Sequence, residues 1–404
     1  MKSQFIARKL LKSSQEDSKG AHFPSLRQLA VETIALNFEL YPSMESVTSP
    51  ALLEEIYSQI SIPDTSIALL AKAIDSEEFW KRACAEKFAL LDSNFLKGSQ
   101  AANHIPSAKQ TFFEIYFKRI LNDPTVDPDF LMQMARVAGG LIRKWTIEEV
   151  TPKLERATFE ALIYLEKLEH LSVNFACPMQ ETDFGIDAYR GLNLDRANSF
   201  QSNCRLSALQ SLKLENNLIT DKIVEVLLKG LKGSTQLESL SLSRNKLGDL
   251  GVEVVCSWVK KNPKVPIKHL NLSDNDIGYE GGRIVAEYFR DPTFSLTSLN
   301  LKINFLNNQV FEIMLKNFAE TKKSTLRSLN LGSNLIRDNH FESLKTFFGA
   351  NQSLEELLLD GNEISFEDEQ ATVLQAMLAK NQVLKKFSLK FNKLKPEVAA
   401  KLQK

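Results

Sequence analysis

The sequence predicts an α/β repeat array preceded by an all-helical domain. Two observations carry that prediction. From residue 209 onward one motif, L-x-x-L-x-L-x-x-N-x-[IL], occurs seven times at intervals of 28 to 30 residues. Self-similarity at a fixed period marks a chain built by stacking one supersecondary unit. Before about residue 160 the motif is absent, and apolar residues recur at helical spacing between prolines. Composition allows a sizeable core: 43% of the 404 residues are hydrophobic and 25% charged, close to the globular average.

The motif runs from Leu209 to Ile219, Leu237 to Leu247, Ile267 to Ile277, Leu296 to Leu306, Leu326 to Ile336, Leu354 to Ile364 and Leu384 to Leu394. Its L-x-L centre reads as a short strand whose apolar residues alternate inward. Its asparagines are Asn217, Asn245, Asn275, Asn304, Asn334, Asn362 and Asn392. They fall where the chain leaves the strand, and there an amide side chain satisfies backbone groups that would otherwise be buried unpaired; their expected role is structural. The rest of each unit is helical, as in the stripes Val224, Leu227, Leu228, Leu231 and Val252, Val255, Val259. One strand and one helix cannot bury their apolar faces alone, but stacked neighbours do so. This is a leucine-rich repeat pattern. A full helix in a period of 28 to 30 resembles the ribonuclease-inhibitor-like class, and that resemblance implies a horseshoe with a parallel sheet on its concave side.

Ahead of the array, Leu168, Leu171 and Val173 fit the strand positions without an asparagine. Leu209 follows Leu168 by 41 residues, and the surplus over a repeat lies in Cys177 to Arg205, read as an insertion that forms a packed loop or a partner site. Helical stripes run over Leu26–Leu40, Ala51–Ile60, Ile67–Ile74, Glu77–Leu91, Phe112–Leu121 and Phe130–Ile147, punctuated by Pro42, Pro50, Pro63, Pro106, Pro124 and Pro128. Asp75 or Ser76 is the expected N-cap of the helix that carries Trp80. The resulting division is a basic N-terminus at 1–20, a helical capping domain at 21–160, a degenerate first repeat with its insertion at 161–208, and seven repeats at 209–404. Met1 to Lys12 carries Lys2, Arg8, Lys9 and Lys12 with no acid before Glu16; a solvated terminus, an arm for an acidic partner and a transit-like segment all fit it.

Lys+Arg and Asp+Glu are each 50, so the net charge is zero. That argues against whole-chain binding to nucleic acid or an anionic membrane, and no apolar run reaches the length of a membrane span. Four cysteines, Cys84, Cys177, Cys204 and Cys256, are too few and too scattered for a disulfide framework or a C-x-x-C site; the expected setting is intracellular. The histidines, His22, His104, His170, His269 and His340, make no H-E-x-x-H. Asp274 and Asp276 have the spacing of a repeat turn rather than of an acid–base pair, and Gly278, Gly281 and Gly282 sit where a turn enters a helix. Cys84 and Cys256 read as buried small hydrophobes. The expectation is no enzyme, no cofactor and no metal.

The residues flanking the strand leucines face outward. They run from Ser211, Lys213 and Glu215 through Ser239, Ser241 and Ser243, then His269, Asn271 and Ser273, then Ser298, Asn300 and Lys302, then Ser328, Asn330 and Gly332, to Glu356, Leu358, Asp360 and Lys386, Ser388, Lys390. Lys213, Ser241, Asn271, Asn300, Asn330, Leu358 and Lys386 are the candidate partner-binding residues of this concave face. The centre is small and polar, so a partner would supply the anchors.

The N-terminal half adds a family resemblance. Leu26-x-x-Leu29 with Ile34-x-x-Asn37-Phe38, the stretch Ile74-Asp-Ser-Glu-Glu-Phe-Trp80-Lys-Arg82-Ala-Cys84, the segment Phe112 to Leu121, and Asp183-Phe184 with Tyr189-Arg190 occur in this order. Together they resemble the dynein regulatory complex subunit 5 family, also called the T-complex-associated testis-expressed protein 1 family. The resemblance spans roughly 24–400, and Ile74 to Cys84 is its most specific element. It implies a non-enzymatic subunit of the nexin–dynein regulatory complex of cilia and flagella, bridging doublet microtubules and regulating dynein-driven bending. It also implies an axonemal, cytoskeletal location among other subunits, one of them another leucine-rich repeat protein. Two other classes share the repeats: a cytosolic inhibitor or interaction module, and a Ran-type GTPase activator, whose acidic C-terminal region is not matched by Lys395 to Lys404.

Overall fold

The computed structural model describes residues 25–39, 47, 49–62, 66–88, 106–148, 150–175, 191–291, 295–321, 324–337 and 340–402. The basic N-terminus and the Asp183 to Arg190 part of the family resemblance lie outside them. The chain divides into two compact units, Met1–Phe112 and Phe113–Lys404.

The first unit is helical. It contains α1 (Leu26–Leu36), α2 (Pro50–Gln59), α3 (Ile67–Ala73), α4 (Glu77–Phe88) and the start of α5 (Ala108–Leu121). The helix starts follow from local chemistry. Ser25 and Gln28 form a reciprocal capping box on α1, and Ser49 caps α2 ahead of Pro50. Ser76, one of the two residues expected at the start of α4, accepts the Phe79 N–H at 3.1 Å. Tyr57, Phe79, Trp80, Phe88 and Phe112 form a chain of ring contacts with centroids 5.0 to 6.4 Å apart. The Trp80 indole donates to the Ile74 carbonyl at 3.1 Å. Arg82 donates to the carbonyls of Tyr57, Ser58 and Ile60 at the end of α2, where a helix runs short of backbone donors for its last carbonyls. The stretch Ile74 to Cys84 is thus the core and helix clamp of this unit.

The second unit is one parallel sheet with its helices. After α6 (Pro128–Ala138) come β1 (Lys144–Glu148), α7 (Glu155–Ala161), β2 (His170–Asn174), α8 (Leu194–Asn203), β3 (Ser211–Lys213), α9 (Asp221–Gly230), β4 (Ser239–Ser241), α10 (Gly248–Lys261), β5 (His269–Asn271) and α11 (Tyr279–Tyr288). The chain continues through β6 (Ser298–Asn300), α12 (Asn308–Glu320), β7 (Ser328–Asn330), α13 (Phe341–Ala350), β8 (Glu356–Leu358), α14 (Asp368–Lys380), β9 (Lys386–Ser388) and α15 (Pro396–Lys401). Among the described residues the nine strands pair in chain order. The register aligns Trp145, Leu171, Leu212, Leu240, Leu270, Leu299, Leu329, Leu357 and Phe387 in one row, all buried. Burial of each such side chain contributes about 2 kcal/mol, and each helix from α6 to α15 packs on the next.

Three expectations about the first repeats are corrected. The helical stripe read through Ile147 ends at Ala138, followed by a short 3₁₀ turn over Gly139–Leu141 and then β1. The sheet therefore begins one strand before the degenerate unit, and the break between units falls after Phe112 rather than at residue 160. Glu114 from α5 accepts the N–H groups of Arg143 and Lys144, each at 3.0 Å, and so satisfies donors beside the first strand. The latter part of the supposed insertion is α8, which stacks between α7 and α9 in the ordinary place of a repeat helix. The surplus is left to 176–190, outside the described residues.

Candidate functional site

The open face of the sheet, the one expected to be concave, carries the strand positions that do not enter the core. The register places Thr146, Ser172, Lys213, Ser241, Asn271, Asn300, Asn330, Leu358 and Ser388 in one row. Six of the candidate partner-binding residues are thereby brought together. Lys386 is not among them: it pairs in register with Glu356, in the neighbouring row.

Much of this face is committed to itself. The Ser241 hydroxyl donates to Glu215 Oε1 at 2.6 Å and accepts from Asn271 Nδ2 at 3.1 Å. Those two neighbours lean across it, and Ser241 is 5% exposed; it is not the free surface position expected. Asn271, Asn300 and Asn330 each accept a backbone N–H two residues on, from Ser273, Lys302 and Gly332. At the far end Glu356 takes Ser328 Oγ at 2.6 Å and pairs with Lys386. These hydrogen bonds, that of Lys386 first, hold its carboxyl below the ordinary range. Asp360 accepts from Ser388 Oγ and from the Lys390 N–H. At the other end Lys118, Lys144, Trp145, Thr146, Glu148, His170 and Lys213 are among the residues around an open hollow of about 500 Å³. Burial, then the charge of Lys144, pushes the His170 pKa down.

The motif asparagines lie in the turns at the strand ends. Each sends Nδ2 to carbonyls of its own and the preceding repeat: Asn217 to Val173 and Glu215, Asn245 to Leu214 and Leu242, Asn304 to Leu272 and Leu301. Asn275, Asn334, Asn362 and Asn392 repeat the pattern on Leu242, Leu301, Leu331 and Leu359. The residue just before the asparagine has positive φ in all seven repeats: Asn216, Arg244, Asp274, Ile303, Ser333, Gly361 and Phe391. Sequence reasoning missed this, because no residue type recurs there.

The remaining chemical candidates take structural places. Burial raises the thiol pKa of Cys84 to about 11 and those of Cys204 and Cys256 to about 12, so none is a thiolate at neutral pH; Cys177 lies outside the described residues. Asp276 pairs with Lys246 at 3.0 Å. A Cβ on Gly281 would meet Asp249 Oδ1 at 2.6 Å, and one on Gly282 would meet Leu306 at 2.6 Å, so these glycines serve close packing of α11. Among the described residues no three His, Cys, Asp or Glu side chains cluster as a metal site. None of the described helices is long and apolar enough to cross a membrane.

A parallel sheet of β–α units joined by an asparagine ladder defines the class: this is a leucine-rich repeat protein of the ribonuclease-inhibitor-like α/β type. A match to the family described as Leucine Rich repeat covers residues 233–256 and 266–283. The chain is similar to dynein regulatory complex subunit 5 of Homo sapiens, 24% identical over 261 residues, or 56% of this chain and 49% of that protein. It is also similar to the ribonuclease inhibitor of Mus musculus, 26% identical over 212 residues and 46% of each chain. Among solved structures, that of a TLR13–ssRNA13 complex gives a TM-score of 0.37 at 18% identity, over 67% of this chain and 38% of that one. The chain spans about half the length of the subunit 5 relatives it matches. The relatives so named bear the name of the family that the stretch Ile74 to Cys84 resembles.

Proposed function

We propose that the protein is a non-enzymatic subunit of the nexin–dynein regulatory complex, held in the axoneme of cilia or flagella. There it joins other subunits, one of them a second leucine-rich repeat protein, and helps link doublet microtubules and regulate dynein-driven bending. The observation that carries this reading is the similarity to dynein regulatory complex subunit 5 of several mammals. The Ile74 to Cys84 stretch supports it, since that stretch is independent of the repeats that many families share. The row Lys213, Asn271, Asn300 and Asn330 on the open face is the proposed partner surface, with Lys386 beside it.

The test is expression of the tagged chain in ciliated cells that lack the native protein. Retention in salt-washed axonemes, with restored beating, supports the proposal. Exclusion from cilia, or loss into the soluble fraction, overturns it. Asn300→Arg places a long cation on the open face and removes the acceptor of the Lys302 N–H, with an expected stability change of about 1 kcal/mol or less. Normal incorporation of this variant would move the partner surface elsewhere.

A further inference from the structure

The turns at the ends of β6 and β7 expose apolar side chains that neither the fold nor the open face accounts for. Ile303, Phe305 and Leu335 are 47%, 54% and 43% exposed. Phe305 and Leu335 follow the motif asparagines of adjoining repeats, and Ile303 precedes the first of these. Backbone hydrogen bonds hold the turns side by side: Ile303 N–H to Gly332 O at 2.9 Å and Leu335 N–H to Leu306 O at 2.9 Å. The three side chains therefore belong to one continuous rim. Ile303 also has φ of 57°, a conformation that a β-branched residue enters only at a steric cost. Other repeats place Asn216, Arg244, Asp274, Ser333, Gly361 or Phe391 there, none of them β-branched. Ile303 is thus strained without the return of burial, the kind of outlier that points to use at a surface.

The charges on this rim state what it would receive. Among the described residues neither Lys302 nor Lys390 has a carboxylate within ion-pair reach, and Arg337 and Lys393 share the single carboxylate of Glu363, at 3.3 and 3.0 Å. The other acid of these turns, Asp360, is occupied by Ser388 and the Lys390 N–H. Phe391, next to Lys390, repeats the cation-then-apolar order of Lys302 and Ile303. The earlier turns differ: Lys246 is matched by Asp276. An exposed apolar patch bordered by more cations than carboxylates marks a contact site. We propose that this rim docks an acidic amphipathic segment of a partner protein, its apolar side chains on Ile303, Phe305 and Leu335 and its carboxylates toward Lys302, Arg337 and Lys393.

The probe is a fluorescein-labelled helical peptide of about 18 residues, five turns, with a leucine face flanked by glutamates. A matched peptide carries lysines instead. Anisotropy titrations with the full chain should show binding of the acidic peptide and at least tenfold weaker binding of the basic one. Phe305→Ser and Leu335→Ser should each weaken binding about tenfold, and Lys302→Glu with Lys393→Glu should reverse the peptide preference. Ile303→Asn should weaken binding while leaving the melting temperature unchanged or raised by about 2 °C, which separates lost docking from lost folding. Leu250→Ser, on the exposed side of α10, should change nothing. Equal binding of both peptides, or indifference to the rim variants, overturns the proposal. So does preferential binding to phosphatidylserine vesicles, or self-association that Phe305→Ser abolishes, since the occupant is then a membrane or a second copy. The assay needs no axonemal component, so its outcome is independent of the proposed role in the regulatory complex.

Discussion

The side-chain carbonyl of Asn245 accepts the backbone N–H of Asn217 at 2.9 Å and that of Ile219 at 3.0 Å. The turn of one repeat is thus completed by the side chain of the next. Asn304 does the same for Asn275 and Ile277, and Asn362 for Asn334 and Ile336. Buried donors that a short strand leaves unpaired are met by one amide per repeat, and stability passes between neighbours through these bonds.

The ladder has one weak rung. Asn275 Oδ1 is buried and has no partner among the described residues, because the Asn245 N–H bonds the Asp274 carbonyl instead, at 3.1 Å. Asn304→Ala would leave two buried N–H groups unpaired and should cost about 3 kcal/mol. Asn275→Ala removes only donations to carbonyls, one of which Asn245 also serves, and should cost about 1 kcal/mol. Chemical denaturation of the two variants checks this; equal losses would contradict it.

Truncation should track the observed units. A fragment of residues 106–404 keeps α5, α6 and β1, loses the ring partners of Phe112 on α5, and should be soluble and melt cooperatively. A fragment of 161–404 loses Trp145, Ile147 and the helices above them, exposing the β2 edge and apolar surface, and should aggregate. Light scattering and circular dichroism distinguish the two; a soluble, monomeric 161–404 fragment would refute the argument.

Arg196 on α8 holds Glu155 of α7 through two bonds, at 2.6 and 3.1 Å, with the guanidinium buried against Phe175. Removing one member leaves the other desolvated without its charge partner. Arg196→Ala should cost about 3 kcal/mol. Arg196→Met combined with Glu155→Leu should recover most of that, since an apolar pair carries no such penalty. Urea denaturation of both variants is the measurement.

His170 gives a pH dependence with a definite sign. Its folded pKa lies below the ordinary 6.5, burial first and Lys144 second, so the unfolded chain binds the proton more readily. Stability from this residue is complete above about pH 6.5 and declines as pH falls through the folded value. His170→Gln should flatten the fall in melting temperature between about pH 7.5 and 5.5; an identical slope in wild type and variant would exclude the effect.

The seven regular repeats were legible because leucine spacing and the asparagine are direct consequences of strand burial and turn satisfaction. The first two strands were harder. Ile142-x-x-Trp145-x-Ile147 keeps the apolar frame of the motif, but Val150 stands where the asparagine would be. The frame also continues the helical stripe of α6, so period alone favoured a helix. The even spacing of Lys213, Ser241 and Asn271 identified the open face, yet it gave no sign that Glu215 and Asn271 close over Ser241, since that depends on rotamers across repeats. The rim at Ile303 and Phe305 was hidden for another reason: exposure of a motif-adjacent apolar residue follows from the left-handed turn, which varied residue types conceal.

Asn217 grips both flanks of the chain that separates β2 from α8. Its side-chain oxygen takes the Phe175 N–H and its main-chain carbonyl takes the Leu192 N–H, both at 2.8 Å. Gly191 permits the approach, with φ of 97° and no room for a Cβ against the Asn217 carbonyl. A single residue therefore acts as the knot of a drawstring: whatever lies between positions 175 and 191 is tied at its neck. Adding residues between two positions already held together costs entropy only as the logarithm of the number of residues, about 0.6 kcal/mol per doubling. An epitope tag inserted between positions 175 and 191 is therefore expected to shift the melting temperature by no more than about 2 °C.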